Sequence, residues 1–414
     1  MRTLYLHIGH SKTGSSFLQA SFANSLAAMA EHGIEYPGAP SEAATGWKIS
    51  SGNGQPLLNT PPEEFEITGD KVFFSAERLF RAFAVEEGWP ARLAAFCKVH
   101  DIGAVEVLMF LRDPIPHAES SYQQMVKRGG SVDTVETTFT NYTQPEMVRD
   151  ALTRDYGPVK VNWHLFSYDR NKTGLLPITE AFLGLPEGTL VRGGDKAVNR
   201  SMTAGELTIL RGLNAHDPAA ASLLADALCN EVPEIASETV YPSTEAQQAM
   251  IDRLSGAIAE VDAMLAPSER YSVDLRPPAD EAEAFTFSLR QVEVMTATLG
   301  ARVQDVTIQM QIERARRQIN MAQVLFDKGR LDEADTLLAR AGAGLKGLDG
   351  YGDVDGLKRI VDKLVKASAT RAAAAAKAAE AAKAEAAQAE AASAAEASGD
   401  AAAGTATAEG QAQK

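Results

Sequence analysis

Three short stretches constrain the fold more than anything else in the chain. TLYLHIG (Thr3–Gly9), KVFFSAE (Lys71–Glu77) and VEVLMFLRD (Val105–Asp113) are short, continuous and apolar. That is the pattern of strands covered on both faces within a parallel sheet. VKVNWHLFSYD (Val159–Asp169) reads as a further strand region. Longer amphipathic stretches alternate with these runs, which is the signature of an α/β fold. The pattern holds over residues 1–275 and predicts a parallel sheet flanked by helices.

The remainder is different. From about Asp280 to Val365 the chain reads as all-helical. Phe285, Leu289, Val292, Thr296, Leu299, Val303, Val306 and Met310 recur at alternating spacings of four and three, a heptad-like stripe. Such a stripe fits either a helix packed on its own domain or a dimeric coiled coil, and hence a homo-oligomer. INMAQVLFDKGRLDEADTLLARA then resembles one tetratricopeptide-type helical hairpin, with Ala322, Gly329, Ala334 and Ala341 as its small residues. One such hairpin cannot bury its own face, so it must pack on a neighbour or a partner. Residues 366–414 are rich in Ala, Lys, Glu and Gln. Alanine favours helix, but with no apolar stripe to bury, a frayed solvated helix passing into disorder is expected.

Composition narrows the function classes. A chain of 414 residues allows one large domain or two smaller ones. A net charge of -15 argues against broad nucleic-acid binding, so an anionic small ligand would need Lys and Arg gathered around it. The two cysteines, Cys97 and Cys229, suggest neither a disulfide framework nor a zinc cluster. The histidines show no metal-site or triad spacing, and no metal is expected. No apolar run reaches the length of a membrane span, and MRTLYLHIG lacks the apolar core of a signal peptide. A cytoplasmic protein is expected.

The first strand runs directly into HIGHSKTGSSFLQ. Gly9 and Gly14 have the glycine spacing of a Walker A loop, G-x-x-x-x-G-K-[ST], but Ser15 stands where that motif has lysine. The lysine, Lys12, lies inside the loop. Ser15 and Ser16 open a helix whose first N–H groups and hydroxyls form an anion site. Lys12 can lie over the bound group as a mobile point charge. A tight strand-to-helix turn without ligand is the alternative.

This stretch resembles the 5′-phosphosulfate-binding loop of the sulfotransferases, which use 3′-phosphoadenosine-5′-phosphosulfate (PAPS). It is closest to bacterial members and to carbohydrate enzymes, where the loop often reads K-T-G-T-T. Here Ser15 and Ser16 replace both threonines and keep a hydroxyl at each position. The resemblance implies a P-loop NTPase-like α/β fold and a donor held by Gly9, His10, Ser11, Lys12, Thr13, Gly14, Ser15 and Ser16.

A second motif, VLMFLRDPIPHAESSYQQ, ends the third of these strands. Arg112 follows the strand, Asp113 can cap the next helix and Pro114 suits its first position. Ser120 lies eight residues after Arg112. This is similar to the family's 3′-phosphate motif, in which the Arg grips phosphate with paired hydrogen bonds and the Ser adds a donor. VLMFLRD also fits a Walker B strand ending in Asp113, which would indicate a magnesium-dependent P-loop kinase. A fainter match is DKAVNRSMTAGELTILRGLN, where Asn199, Arg200 and Ser201 fit an Asn-x-Ser before a helix. Lys196 and Arg200 could then close over the nucleotide, whereas a helix cap by Ser201 or Thr203 is the plainer reading.

Transfer to a hydroxyl needs a general base. Glu77, at the C-terminal end of KVFFSAE, is the first candidate, since open α/β sheets bind ligands at strand C-termini. The alternative is a first-turn carboxylate paired with Arg78 or Arg81. Glu42 and His10 are weaker candidates, and His7 reads as a core histidine. GWKISSGNGQPL is a Gly-rich loop that could cover an acceptor. The expectation is a PAPS-dependent sulfotransferase yielding 3′,5′-adenosine bisphosphate, with a carbohydrate hydroxyl as the favoured acceptor. The alternatives are the kinase, or a non-catalytic binding protein that acts through its helical region.

Overall fold

Leu4, Leu6 and Ile8 of β1 (Arg2–Ile8) are fully buried, and so is His7 between them. A strand covered on both faces belongs in the middle of a sheet. In this computed structural model, which describes all residues except 40, 48–51, 194–199, 279–285 and 406–414, four further strands join it. They are β2 (Ile34–Glu35), β3 (Lys71–Ala76), β4 (Ile102–Leu111) and β5 (Val161–Ser167). The order is β2-β3-β1-β4-β5, and every pairing is parallel. β2, two residues long, is too short to leave a periodic signal in the sequence.

This order positions the site. The chain leaves β1 for the edge strand β2, returns through β3 beside β1, and crosses to β4 on the other side. Ile8 lies opposite Ala76 of β3, and His7 opposite Leu108 of β4. The loops after β1, β3 and β4 therefore leave one edge of the sheet, at the point where the strand order reverses. Ligands of open α/β sheets bind at such switch points.

Side-chain alternation divides the core between the two faces. Leu6, Phe74, Val107 and Met109 pack with Phe83 of the Glu77–Val85 helix and Phe96 of the Trp89–Val99 helix. Phe73, Leu108 and Phe110 pack on the other face with Leu18 and Phe22 of the Ser15–Ala23 helix. A helical layer holds a third cluster. It joins Ile115, Tyr122 and Val126 of the Pro114–Arg128 helix to Leu207 and Leu210 of the Ala204–Asn214 helix, Leu224 and Leu228 of the Pro218–Glu231 helix, and Met250 and Leu254 of the Thr244–Asp262 helix.

The chain divides into two compact units, Met1–Leu299 and Gly300–Lys414. The second is helical. Ile308, Ile312, Ala315, Ile319 and Ala322 meet Ala334, Leu338 and Ala341 of the Leu331–Gly344 helix and Val354, Leu357 and Val361 of the helix that follows. The neighbour that the hairpin requires is thus the Val354–Thr405 helix. The expected heptad-like stripe is not packed on its own domain: Leu289, Val303 and Met310 are 75%, 66% and 69% exposed, and Phe285 lies outside the described residues. The Leu289–Asp327 helix carries two apolar stripes, and the structure buries the other one. In the alanine-rich segment the backbone is helical to Thr405, and side chains 371–389 are exposed. Among the described residues, no helix is long and apolar enough to cross a membrane.

Candidate active site

The loop after β1 is shaped by two glycines and one strained lysine. A Cβ on Gly9 would stand 2.8 Å from Glu77 Cγ, so only glycine lets the start of the Glu77–Val85 helix approach this closely. Gly14, with φ of 78°, is the N-cap of the Ser15–Ala23 helix. Lys12 adopts φ of 62°, a left-handed conformation that costs a side-chain-bearing residue roughly 1–3 kcal/mol. Thr13 Oγ1 donates to the His10 carbonyl and closes the turn.

The Pro114–Arg128 helix lies against this loop. His117, Ser120 and Gln124 recur at spacings of three and four, hence on one helical stripe. His117 Nε2 lies 2.8 Å from the Ser11 carbonyl oxygen and 3.1 Å from Ser11 Oγ. Lys12 Nζ donates to Gln124 Oε1 at 2.7 Å. Ser120 sits between these two contacts on the stripe, and its hydroxyl has no protein partner among the described residues.

Two cations meet here. The Lys12 ammonium is pushed down to about 8, first by burial, then by the positive charges of Lys127 and Arg112, against the opposing pull of Glu77 and Glu119. Arg112 follows β4 and places its guanidinium over the Tyr168 ring, 5.8 Å from the centroid. Its contacts are loose: Nη1 donates to the Lys12 carbonyl at 3.4 Å, and Nε is 3.8 Å from Asp169 Oδ1, beyond hydrogen-bond range. Nε is buried and has no hydrogen-bond partner among the described residues. Buried donors are normally paired, so an orphaned guanidinium N–H beside a desolvated ammonium favours an anion.

Two carboxylates border the cations. Glu77 is exposed at the end of β3, and its Oε1 accepts from Ser15 Oγ at 2.7 Å. Among the described residues it forms no ion pair with Arg78 or Arg81. Glu119, buried on the Pro114–Arg128 helix, accepts from Gln123 Nε2 and from the Val240 N–H at 3.1 Å. Burial raises its pKa, opposed by those hydrogen bonds and by Arg112 and Lys12.

The expected residues divide into three groups. Gly9, Lys12, Gly14, Glu77 and Arg112 come together, with Ser16 in the first turn of the Ser15–Ala23 helix and Ser120 on the stripe that holds His117 and Gln124. Four others have different tasks from those expected. The His10 ring is buried between His117 (4.2 Å, stacked) and Phe80, with its pKa pushed down to about 3, chiefly by burial. Thr13 closes the turn, the Ser15 hydroxyl is directed at Glu77, and Ser11 is held by His117. The third group lies elsewhere. Arg200 is buried in a paired contact with Glu206, at 2.6 and 2.8 Å. It also donates to the carbonyls of Ser201, Leu228 and Val232, so its guanidinium offers no face to a nucleotide. Ser201 accompanies it, Thr203 rather than Ser201 caps the helix, and Asn199 and Lys196 lie outside the described residues.

One more expectation is revised. Asp113 occupies the N-cap position but does not cap with its side chain. Its Oδ1 instead accepts from the Ser272 N–H at 2.8 Å, because the buried carboxylate faces that chain segment and Arg170. In the Gly-rich loop, residues 48–51 lie outside the described residues, and Asn53 bonds along β3 to the Ser75 N–H and the Phe73 carbonyl. Glu42 is exposed in the first turn of a four-residue helix. His7 is the core histidine expected: it is buried against Ser75 Oγ at 2.8 Å, and burial takes its pKa down to about 4. Sequence reasoning passed over His117, Gln124 and Glu119. The usable signal was the three-and-four spacing of polar residues on a helix that starts beside Arg112.

The chain matches no family model, no curated protein and no solved structure.

Proposed function

We propose that the first unit is a PAPS-dependent sulfotransferase with a P-loop-like sheet. The observation that carries this reading is the pairing of Lys12 with Arg112. A desolvated lysine and a loosely held arginine occupy the switch point of a parallel sheet, one on a glycine-flanked loop that opens a helix and the other at the start of a helix bearing Ser120. The first fits a 5′-phosphosulfate and the second a 3′-phosphate, which a single donor molecule would supply together.

In the proposed reaction the acceptor oxygen attacks sulfur in line as the bond from sulfur to the bridging oxygen breaks. The products are a sulfate ester and 3′,5′-adenosine bisphosphate. Lys12 exchanges Gln124 for the bridging oxygen and stabilises the charge that develops there. Loop and helix N–H groups hold the 5′-phosphate, and Arg112 with Ser120 holds the 3′-phosphate. Glu77, exposed beside the loop, takes the acceptor proton. Positioning and electrostatics supply most of the rate. A carbohydrate hydroxyl is the favoured acceptor. The kinase reading is weaker because its metal carboxylate would be Asp113, whose oxygen is engaged by the Ser272 N–H.

Transfer of labelled sulfate from PAPS to a panel of hydroxyl acceptors tests the proposal. Lys12→Ala should keep bisphosphate binding and lose transfer; full activity in that variant contradicts the mechanism.

A further inference from the structure

Lys12 is a left-handed non-glycine residue in the loop that must present its N–H groups to an anion. Something outside the loop has to hold it there. The peptide plane that joins Ser11 to Lys12 carries the Ser11 carbonyl on one side and the Lys12 N–H on the other. Fixing that carbonyl fixes the direction of the N–H and supports the strained φ.

His117 Nε2 lies 2.8 Å from the Ser11 carbonyl oxygen. A carbonyl only accepts, so Nε2 carries the proton. Nδ1 is then an acceptor, and the Tyr142 hydroxyl donates to it at 2.6 Å. Both ring nitrogens are thereby assigned, and the ring is fully buried, stacked 4.2 Å from His10. Burial and the nearby cations keep the imidazole neutral, and burial keeps the Tyr142 phenol protonated. The Tyr142–His117–Ser11 chain is a complete set of directed hydrogen bonds ending on the peptide that needs support.

We propose that His117, oriented by Tyr142, is a positioning residue that holds the Ser11–Lys12 peptide in its left-handed form and so aims the loop N–H groups at the bound anion. This rests on the loop being an anion site, as proposed above, and not on which group is transferred. It joins the anion loop to the helix that starts beside Arg112, so the two halves of the site are set by one element.

The test compares His117→Leu, His117→Gln and Tyr142→Phe in the full chain, with 3′,5′-adenosine bisphosphate as the probe. Gln keeps an N–H that can reach the Ser11 carbonyl, whereas Leu keeps only bulk. Calorimetry should show affinity reduced about tenfold or more in His117→Leu, as expected for one lost hydrogen bond and a released strained peptide. His117→Gln should recover most of that loss, and Tyr142→Phe should fall between them. In the crystal structure of His117→Leu, Lys12 should leave the left-handed region. Equal affinities for Leu and Gln, or a His117→Leu structure with Lys12 still at positive φ, would overturn the inference. If the unaltered protein does not bind the bisphosphate, the sulfotransferase reading falls, and the Lys12 conformation in His117→Leu then decides this inference alone.

Discussion

The first unit contains two arginine sites, one buried and one half-buried, built from the same chemistry and finished differently. Arg200 is closed. Its guanidinium meets both oxygens of Glu206 and three backbone carbonyls, and Gln291 Nε2 donates to Glu206 at 2.9 Å. Arg112 is open. Its carboxylate partner is 3.8 Å away, its backbone contact is long, and Nε has no hydrogen-bond partner among the described residues. A closed site specifies how helices pack. An open site keeps hydrogen-bonding capacity and positive charge for a ligand, at a cost to the folded state. The two are told apart by whether removing the cation harms the fold or leaves it at least as stable.

The largest expected effect lies at the closed site. Arg200→Ala leaves Glu206 buried without its cation and should destabilise the first unit by about 3–5 kcal/mol in denaturant unfolding. A loss below about 1 kcal/mol would place Arg200 in the open class.

Lys12→Met should do the reverse and stabilise the fold. The pKa of Lys12 drops from 10.5 to about 8 on folding, so between these values the unfolded chain binds more protons than the folded one. Stability contributed by this group therefore rises with pH across that window, and the full penalty applies below about 8. Removing it at neutral pH should gain on the order of 1–3 kcal/mol, with less gain above the upper limit of the window. A destabilised Lys12→Met would show that the lysine supports the loop.

Thr203→Ala is the smallest test. It breaks the capping box with Glu206 that borders Arg200 and should cost about 1 kcal/mol. Bisphosphate affinity should not change; a parallel loss of binding would tie the closed site to the open one.

The same contrast explains what could be read before the structure was known. β1, β3 and β4 were legible because strands buried on both faces are continuous apolar runs, whereas β5, a half-buried edge strand with polar residues in it, showed only as a strand region. The loop was legible because Gly9, Lys12 and Gly14 are local in sequence. Arg112 carried the stronger motif and Arg200 the fainter one, but neither motif showed how its guanidinium is engaged, since each is a lone arginine before a helix. Which one is closed depends on carbonyls 28 and 32 residues away from Arg200, supplied by the tertiary fold. The Thr203-x-x-Glu206 spacing was a local hint that the second arginine faces a carboxylate. His117 escaped because its partners, Ser11 and Tyr142, are 106 and 25 residues away. The Leu289–Asp327 helix, which spans the division between the units, has two apolar stripes, and periodicity alone cannot say which of them is covered.

The most direct test of the open site is calorimetric titration, without magnesium, of 3′,5′-adenosine bisphosphate and 5′-AMP into the unaltered protein and Arg112→Ala. The account predicts a clear preference for the bisphosphate and its loss in Arg112→Ala. That loss should be about tenfold to a hundredfold, as for a charge-assisted contact of roughly 1.5–3 kcal/mol, with unfolding stability nearly unchanged. Equal binding of the two nucleotides, or a bisphosphate preference that survives in Arg112→Ala, would contradict it.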